Sequence, residues 1–248
     1  MTNLIQWPRA QYWDKPWNPW LGCKPISPAC DNCYARCATE DRFGQSFEPH
    51  RTQKVSPPNT GVVFCGNMTD LFGEWADPLD YMRKTWPLTA TYLYCTKRVH
   101  HMANCLSFVD PDYSPLRFSN HYFGFTAENE EWNYIRWREM VDGWSATYGK
   151  PEWLNIWVSC EPLIGPIDLA TGGEICLLSW VAVGCESGPK RRTCKIEWVE
   201  SIVDQCRAAN VPVFVKQLDL NGKCERDITK FPKHLQIRQV PWAKKEGV

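Results

Sequence analysis

Leu178-Ser179-Trp180-Val181-Ala182-Val183-Gly184-Cys185-Glu186-Ser187-Gly188 is the stretch from which the fold can be read. Seven residues rich in apolar and β-branched side chains show no alternation, as a strand buried on both faces does. They end abruptly in a charge and small polar residues. The same design recurs five times: Gly61-Val62-Val63-Phe64-Cys65 before Asn67-Met68-Thr69-Asp70, Ala90 to Cys95 before Thr96-Lys97-Arg98, His121 to Thr126 before Glu128-Asn129, Leu154 to Cys160 before Glu161-Pro162, and Val211 to Lys216 before Gln217. Weaker strand signals lie before Cys23 and between Leu235 and Val240.

Helical segments separate the strands. Pro78 to Lys84, Glu130 to Asp142 and Ile196 to Ala209 carry apolar residues at helical spacing, clearest in Ile196, Val199, Ile202, Val203 and Cys206. Alternating strands and helices predict an α/β fold, a full or partial (β/α) barrel, with a doubly wound open sheet as the alternative. No long linker, repeat or low-complexity segment interrupts the chain, so residues 1–248 read as a single domain. Polar residues after every strand then converge on one face, the face on which such folds build active sites.

A second feature gives the chemistry. Gly22-Cys23-Lys24-Pro25-Ile26-Ser27-Pro28-Ala29-Cys30-Asp31-Asn32-Cys33-Tyr34 sets three cysteines in a C-x6-C-x2-C pattern, a candidate cluster-binding loop over residues 22–34. Structural zinc takes four protein ligands. His50 or Cys37 would complete such a set. A cubane iron–sulfur cluster can leave one iron open for substrate or cofactor. Both readings stand on the spacing alone. A short strand before Cys23 would put this loop on the polar face.

Composition narrows the classes. The chain has 248 residues, 44% hydrophobic and 13% aromatic with 14 Trp, enough for a large core. Net charge is zero, so no global field draws nucleic acid. Local candidates are the basic runs Lys97-Arg98-Val99-His100-His101 and Lys190-Arg191-Arg192-Thr193-Cys194-Lys195, which solvated surfaces also carry. There is no signal-like N-terminal stretch and no apolar run long enough for a membrane span, which predicts a cytoplasmic protein. Thirteen cysteines then suit metal or cluster chemistry and buried thiols more than a disulfide framework.

The cysteine triplet after an early strand, followed by a (β/α) pattern, resembles the radical S-adenosylmethionine superfamily, though the first gap is six where three is usual. The chain more fully resembles a phage and prophage group of radical-SAM-like proteins with this three-cysteine motif. The likeness covers Trp17-Asn18-Pro19 to Cys33-Tyr34-Ala35, Met68 to Glu74, Thr96-Lys97-Arg98, Thr126-Ala127-Glu128-Asn129, Ser159 to Asp168, Gly184 to Pro189, and Phe214 to Gln217. Cys185 stands where that group usually has Gly. The resemblance implies a 4Fe–4S cluster on Cys23, Cys30 and Cys33, with S-adenosylmethionine on the open iron. It implies reductive generation of a 5′-deoxyadenosyl radical, fed by an external donor of the flavodoxin type or by dithionite in vitro.

Further roles follow as expectations. Asn67, Thr69, Asp70, Thr126, Glu128, Asn129 and Ser159 would contact the cofactor. Glu161, Glu186 and Lys216 would act on substrate, with a Lys216 ion pair to Glu161 or Glu186 as the competing reading. Lys97 and Arg98 would meet a carboxylate or phosphate. The implied substrate is DNA or a modified nucleobase, its thymine side chain isomerised or rearranged, in the host cytoplasm if the protein is phage-encoded. The alternatives are a zinc-stabilised nucleic-acid-binding module, or a non-catalytic partner protein with a structural cluster.

Overall fold

A computed structural model describes residues 6–54, 56–107, 119–145, 154–188 and 190–242. Pro189, the last residue of one stretch of the family likeness, lies outside them. Eight strands make one sheet in the order β1 (Lys15–Trp17), β4 (Val62–Cys65), β5 (Thr91–Thr96), β6 (His121–Thr126), β7 (Asn155–Cys160), β8 (Leu178–Gly184), β9 (Val213–Leu220) and β10 (Lys223–Glu225). A separate two-stranded ribbon pairs β2 (Trp20–Leu21) with β3 (His50–Arg51). The fold is mixed α/β, with a mostly parallel sheet and intervening helices.

The full barrel is not formed. Among the described residues the sheet stays open, with β1 at one edge and β10 at the other. The expected last strand is replaced by a 3₁₀ turn, Lys233–Leu235, and two isolated bridges, Phe214 to Arg238 and Gln6 to Gln239. An unexpected antiparallel strand, β10, takes that edge instead. Successive strands nevertheless add to the sheet in one direction, without the reversal that defines a doubly wound sheet.

Contacts divide the chain into two compact units. The first, here the cysteine-loop unit, is Trp13–Phe125 with Arg136–Asn155. Within it β1, β4, β5 and β6 pair in parallel. The early strand is therefore real, and the cysteine loop follows its C-terminal end. Helix α2 (Pro78–Thr85) starts where Asp77 accepts the Asp80 amide at 3.2 Å and Pro78 takes the first turn. Helix α3 (Val99–Ser107) has no counterpart in the sequence reading; it buries Val99, Met102, Ala103 and Leu106, one stripe at helical spacing.

The second, the glutamate unit, is Met1–Tyr12, Thr126–Ile135 and Ile156–Val248. Here β7, β8 and β9 are parallel. Helix α5 (Ile196–Ala208) buries Val199, Ile202, Val203 and Cys206 and packs on β8 and β9. Its end is a Schellman motif: Val211 N–H reaches Cys206 O at 2.8 Å and Asn210 N–H reaches Arg207 O at 3.1 Å, with Asn210 at φ 58°. The core is aromatic: the Tyr12 ring meets Trp180 edge-on at 4.9 Å and Phe214 at 5.4 Å. Helix α4 (Glu130–Ser145) contributes to both units.

β6 begins on a histidine the core keeps neutral. His121 stacks on Tyr92 at 5.1 Å, and its ring nitrogens meet Thr85 Oγ1 at 3.0 Å and Asn120 Oδ1 at 2.9 Å. Burial lowers its pKa from 6.5 to about 3. The unfolded chain therefore takes up a proton as pH falls below 6.5 while the folded chain does not. That contribution to stability is intact above pH 6.5 and is lost progressively down to about 3. Chemical denaturation should show His121→Phe losing about 2 kcal/mol less stability than the wild type between pH 7 and pH 5. Equal losses would contradict this reading.

Candidate functional site

In the cysteine-loop unit the loop is fastened to the strand ends by its first residues. Gly22 bridges to Thr69 in parallel fashion, its N–H on Met68 O at 3.2 Å, while the Thr69 hydroxyl donates to Gly22 O at 2.7 Å. Gly22 holds φ +85°, and a Cβ there would stand 2.4 Å from Glu48 O, so only glycine fits. Asn18 Nδ2 donates to Asn67 Oδ1 at 2.7 Å, and Asn18 Oδ1 accepts the Met68 amide at 3.1 Å. The Tyr34 hydroxyl closes the far side of the loop on Asn67 O.

Asp70 is the centre of this arrangement. Its carboxylate is buried and accepts from Thr96 Oγ1 at 2.7 and 2.9 Å, Phe72 N at 3.0 Å, Lys97 N at 3.3 Å and Arg98 Nη1 at 3.1 Å. Arg98 passes this on to the loop, donating to Lys24 O at 2.9 Å and reaching Cys23 Sγ at 3.8 Å, its guanidinium 4.8 Å over the Trp75 ring. Asp70 and Arg98 thus position the cysteine loop. Their charges are occupied by protein partners, which differs from the cofactor and anion roles expected for them.

Cys23, Cys30 and Cys33 are free and part-buried. Cys30 begins a turn in which its carbonyl accepts Cys33 N–H at 3.3 Å, and Cys33 leads into helix α1 (Tyr34–Cys37). Burial first, and then the Asp70 charge, push the Cys23 thiol up to about 11, against the pull of Arg98. Cys37 lies at the end of α1. His50 lies on β3, exposed, with Nδ1 2.9 Å from Glu48 O. Among the described residues no three His, Cys, Asp or Glu side chains are arranged to hold a single metal ion.

The glutamate unit carries a second polar assembly. Glu161 follows β7 and accepts from the Tyr12 hydroxyl at 2.9 Å, while Lys216 Nζ lies 3.1 Å from its other oxygen. The ammonium also sits 5.3 Å from the Tyr12 ring centroid. Lys216 is the extra residue of a β-bulge: Val183 pairs Val215, but Gly184 pairs Gln217. Gly184 leaves room for the carboxylate, since a Cβ there would be 3.0 Å from Glu161 Oε1. Lys216 thus forms the ion pair with Glu161.

The other expected residues divide by role. Glu186 is buried and clamped by Arg192, with Nη2 at 2.5 Å, Nε at 3.1 Å and the backbone N–H at 2.8 Å. Asn129 caps α4, its Oδ1 accepting Trp132 N at 3.0 Å. Thr126, Glu128 and Ser159 are buried. Glu128 O accepts Ile164 N at 2.8 Å, and Ser159 O accepts Ala127 N at 2.9 Å. Two of the four cations in the basic run after Glu186 face carboxylates: Arg192 holds Glu186, and Arg191 lies 4.0 Å from Asp219. Sequence reading missed Tyr12, 149 residues from the glutamate it meets, because nothing local marks it.

The chain belongs to a family described as "Protein of unknown function (DUF5131)", which matches residues 8–239. No curated protein and no solved structure matches it.

Asp70→Asn keeps the shape of the hub but not its charge or full acceptor capacity. Losing these bonds should cost about 1–3 kcal/mol locally. Amide exchange across residues 22–33 should rise roughly ten- to hundredfold while exchange in β4 and β5 stays slow. Unchanged protection of the loop would remove Asp70 from its positioning role.

Proposed function

We propose that this chain is a radical S-adenosylmethionine enzyme on an open, partial form of the (β/α) barrel. One observation supports this above the others: three free cysteines share a loop fastened to the C-terminal ends of parallel strands. The donor set fits a 4Fe–4S cluster with one open iron, and Arg98 beside Cys23 offsets thiolate charge. Cys23, Cys30 and Cys33 would hold that cluster. When bound, it supplies the electron that cleaves the sulfonium of S-adenosylmethionine and so yields a 5′-deoxyadenosyl radical.

The chain's own residues then have distinct tasks. Asp70 and Arg98 fix the loop, and Gly22 and Thr69 set its entry. Asn67 and Thr69, in the segment that follows β4 and holds the loop's entry, are assigned to the cofactor. Thr126, Glu128 and Ser159 at strand ends of the glutamate unit are assigned to the cofactor as well. Glu161 lies between the Tyr12 hydroxyl, which donates to it, and the Lys216 ammonium. Glu161 and Lys216 are assigned to substrate. Glu186, already held by Arg192, is assigned to orientation.

The substrate proposed is a modified thymine in DNA or its nucleoside, rearranged at its side chain, with an external flavodoxin-like donor. No helix among the described residues is long and apolar enough to cross a membrane, and the proposed compartment is the cytoplasm, of the host if the gene is a phage's.

Anaerobically reconstituted protein should hold about four irons and four sulfides per chain. Cys23→Ala, Cys30→Ala and Cys33→Ala should abolish this, and Cys37→Ala should not. Stoichiometric zinc without sulfide would overturn the proposal. With dithionite, the protein should release 5′-deoxyadenosine and methionine from S-adenosylmethionine. A reduced-cluster electron paramagnetic resonance spectrum indifferent to S-adenosylmethionine would assign the cluster a structural role. Glu161→Gln should keep its iron and lose about a hundredfold or more in substrate turnover; full turnover would remove Glu161 from the chemistry.

A further inference from the structure

Tyr12 does more than fill the aromatic core of the glutamate unit. The residue is buried, yet its hydroxyl donates to a carboxylate, Glu161 Oε2, at 2.9 Å. The buried Tyr92 offers a contrast: its hydroxyl donates to Pro58 O at 2.6 Å, and a backbone carbonyl does not keep a proton. A carboxylate does. The Lys216 ammonium also stands 5.3 Å from the Tyr12 ring centroid.

The same ring begins a row of aromatics. It meets Trp180 edge-on with centroids 4.9 Å apart, and Trp180 meets Trp242 edge-on at 4.8 Å. Trp180 is fully buried and Trp242 is part-exposed. Three rings in contact therefore run from the glutamate to the surface of the unit. Trp157, 4.9 Å from Trp180, is a side branch that stays inside the core. The Trp180 indole N–H donates to Gln239 O at 2.8 Å.

We propose that Tyr12 is a one-electron redox residue, joined to the surface through Trp180 and Trp242, which holds an oxidising equivalent as a neutral tyrosyl radical while Glu161 holds its proton.

The hydrogen bonds set the direction of transfer. A high-potential metal complex at the surface takes one electron from Trp242 and is reduced. Trp180 refills Trp242, and Tyr12 refills Trp180. The Gln239 carbonyl does not take the indole proton, so the vacancy does not come to rest on Trp180. An oxidised phenol is a strong acid, and Glu161 Oε2 already accepts the Tyr12 hydroxyl. The proton passes to Glu161 as the electron leaves, and the radical left on Tyr12 is uncharged. The Lys216 ammonium favours this outcome, because a cation beside the ring opposes positive charge on it. One electron has gone to the oxidant and one proton to Glu161. Ascorbate reverses the sequence: it becomes its own radical and gives a proton to water, its electron returns through Trp242 and Trp180, and Glu161 returns the proton to the phenol oxygen. One-electron oxidation of the unit thus becomes a vacancy that is refilled from outside.

This role is independent of the cysteine loop, and its test uses the full chain without added iron, sulfide or S-adenosylmethionine. The protein is flashed with ruthenium tris-bipyridine and a cobalt(III) electron acceptor, then frozen for electron paramagnetic resonance. Wild type should show a tyrosyl signal that outlives those of exposed tyrosines and that ascorbate removes. Tyr12→Phe keeps the ring and should lose this long-lived signal, whereas Tyr34→Phe and Tyr134→Phe, at exposed positions, should retain it. Trp180→Phe and Trp242→Phe should lose it as well. Glu161→Gln should form it about a hundredfold more slowly, the loss of a positioned base. Absence of a long-lived tyrosyl in wild type, its survival in Tyr12→Phe, or its formation at full rate in Trp242→Phe or Glu161→Gln would overturn the proposal. The wild-type trace decides the first point without any variant, and Trp242 tests the route from its part-exposed end even if Trp180→Phe does not fold.

Discussion

The Asp70 carboxylate is the constraint on which the cysteine loop depends. A buried carboxylate is costly unless its oxygens are satisfied. Here two strand-end loops, one hydroxyl and one guanidinium satisfy it together. The donors come from residues 72, 96, 97 and 98, so β4 and β5 must be in register before the site exists. Arg98 carries the constraint onward to Lys24 and Cys23. A loop of prolines and small residues, with little core of its own, is thereby given one position.

The glutamate unit solves a comparable problem with different chemistry. Glu161 is held by a phenol and an ammonium, Glu186 by a bidentate guanidinium. In both units most of the buried polar groups gather at or just beyond the C-terminal ends of strands that are otherwise largely apolar. Hydrophobic burial builds the sheet, and the residues that follow it are positioned by charge-assisted hydrogen bonds.

The strands were legible because they are buried on both faces. β6 and β8 begin and end where their apolar runs do, and β5 and β7 differ by a residue or so. Helix α5 was legible from one stripe, and Asn210 marks its end. Helix α3 was not: Lys97-Arg98 and His100-His101 read as a basic run and masked the stripe of Val99, Met102, Ala103 and Leu106. β10 was hidden because Lys223-Cys224-Glu225 has only one apolar residue and is held by its turn. The polar residues beyond the strands were legible from where each apolar run stops, but most of their partners were not. Asp70 meets donors from separate segments, Tyr12 meets Glu161 across the chain, and Arg192 answers Glu186. Such pairings depend on three-dimensional closure, so Arg98 and Arg192 looked like cations awaiting a ligand.

The bulge at Lys216 has a consequence for how this chain tolerates change in length. A strand's side chains alternate between faces, so one inserted or lost residue turns over everything that follows. Lys216 is already such an insertion, and Gln217, Leu218, Asp219 and the hairpin beyond are set by it. A substitution at Lys216 would alter one ion pair and one contact of an ammonium with a ring. Deleting the residue would turn the downstream strand over, carrying Gln217 away from Cys185 and Asp219 away from the Cys194 amide. Along this strand the number of residues is as tightly specified as their identity.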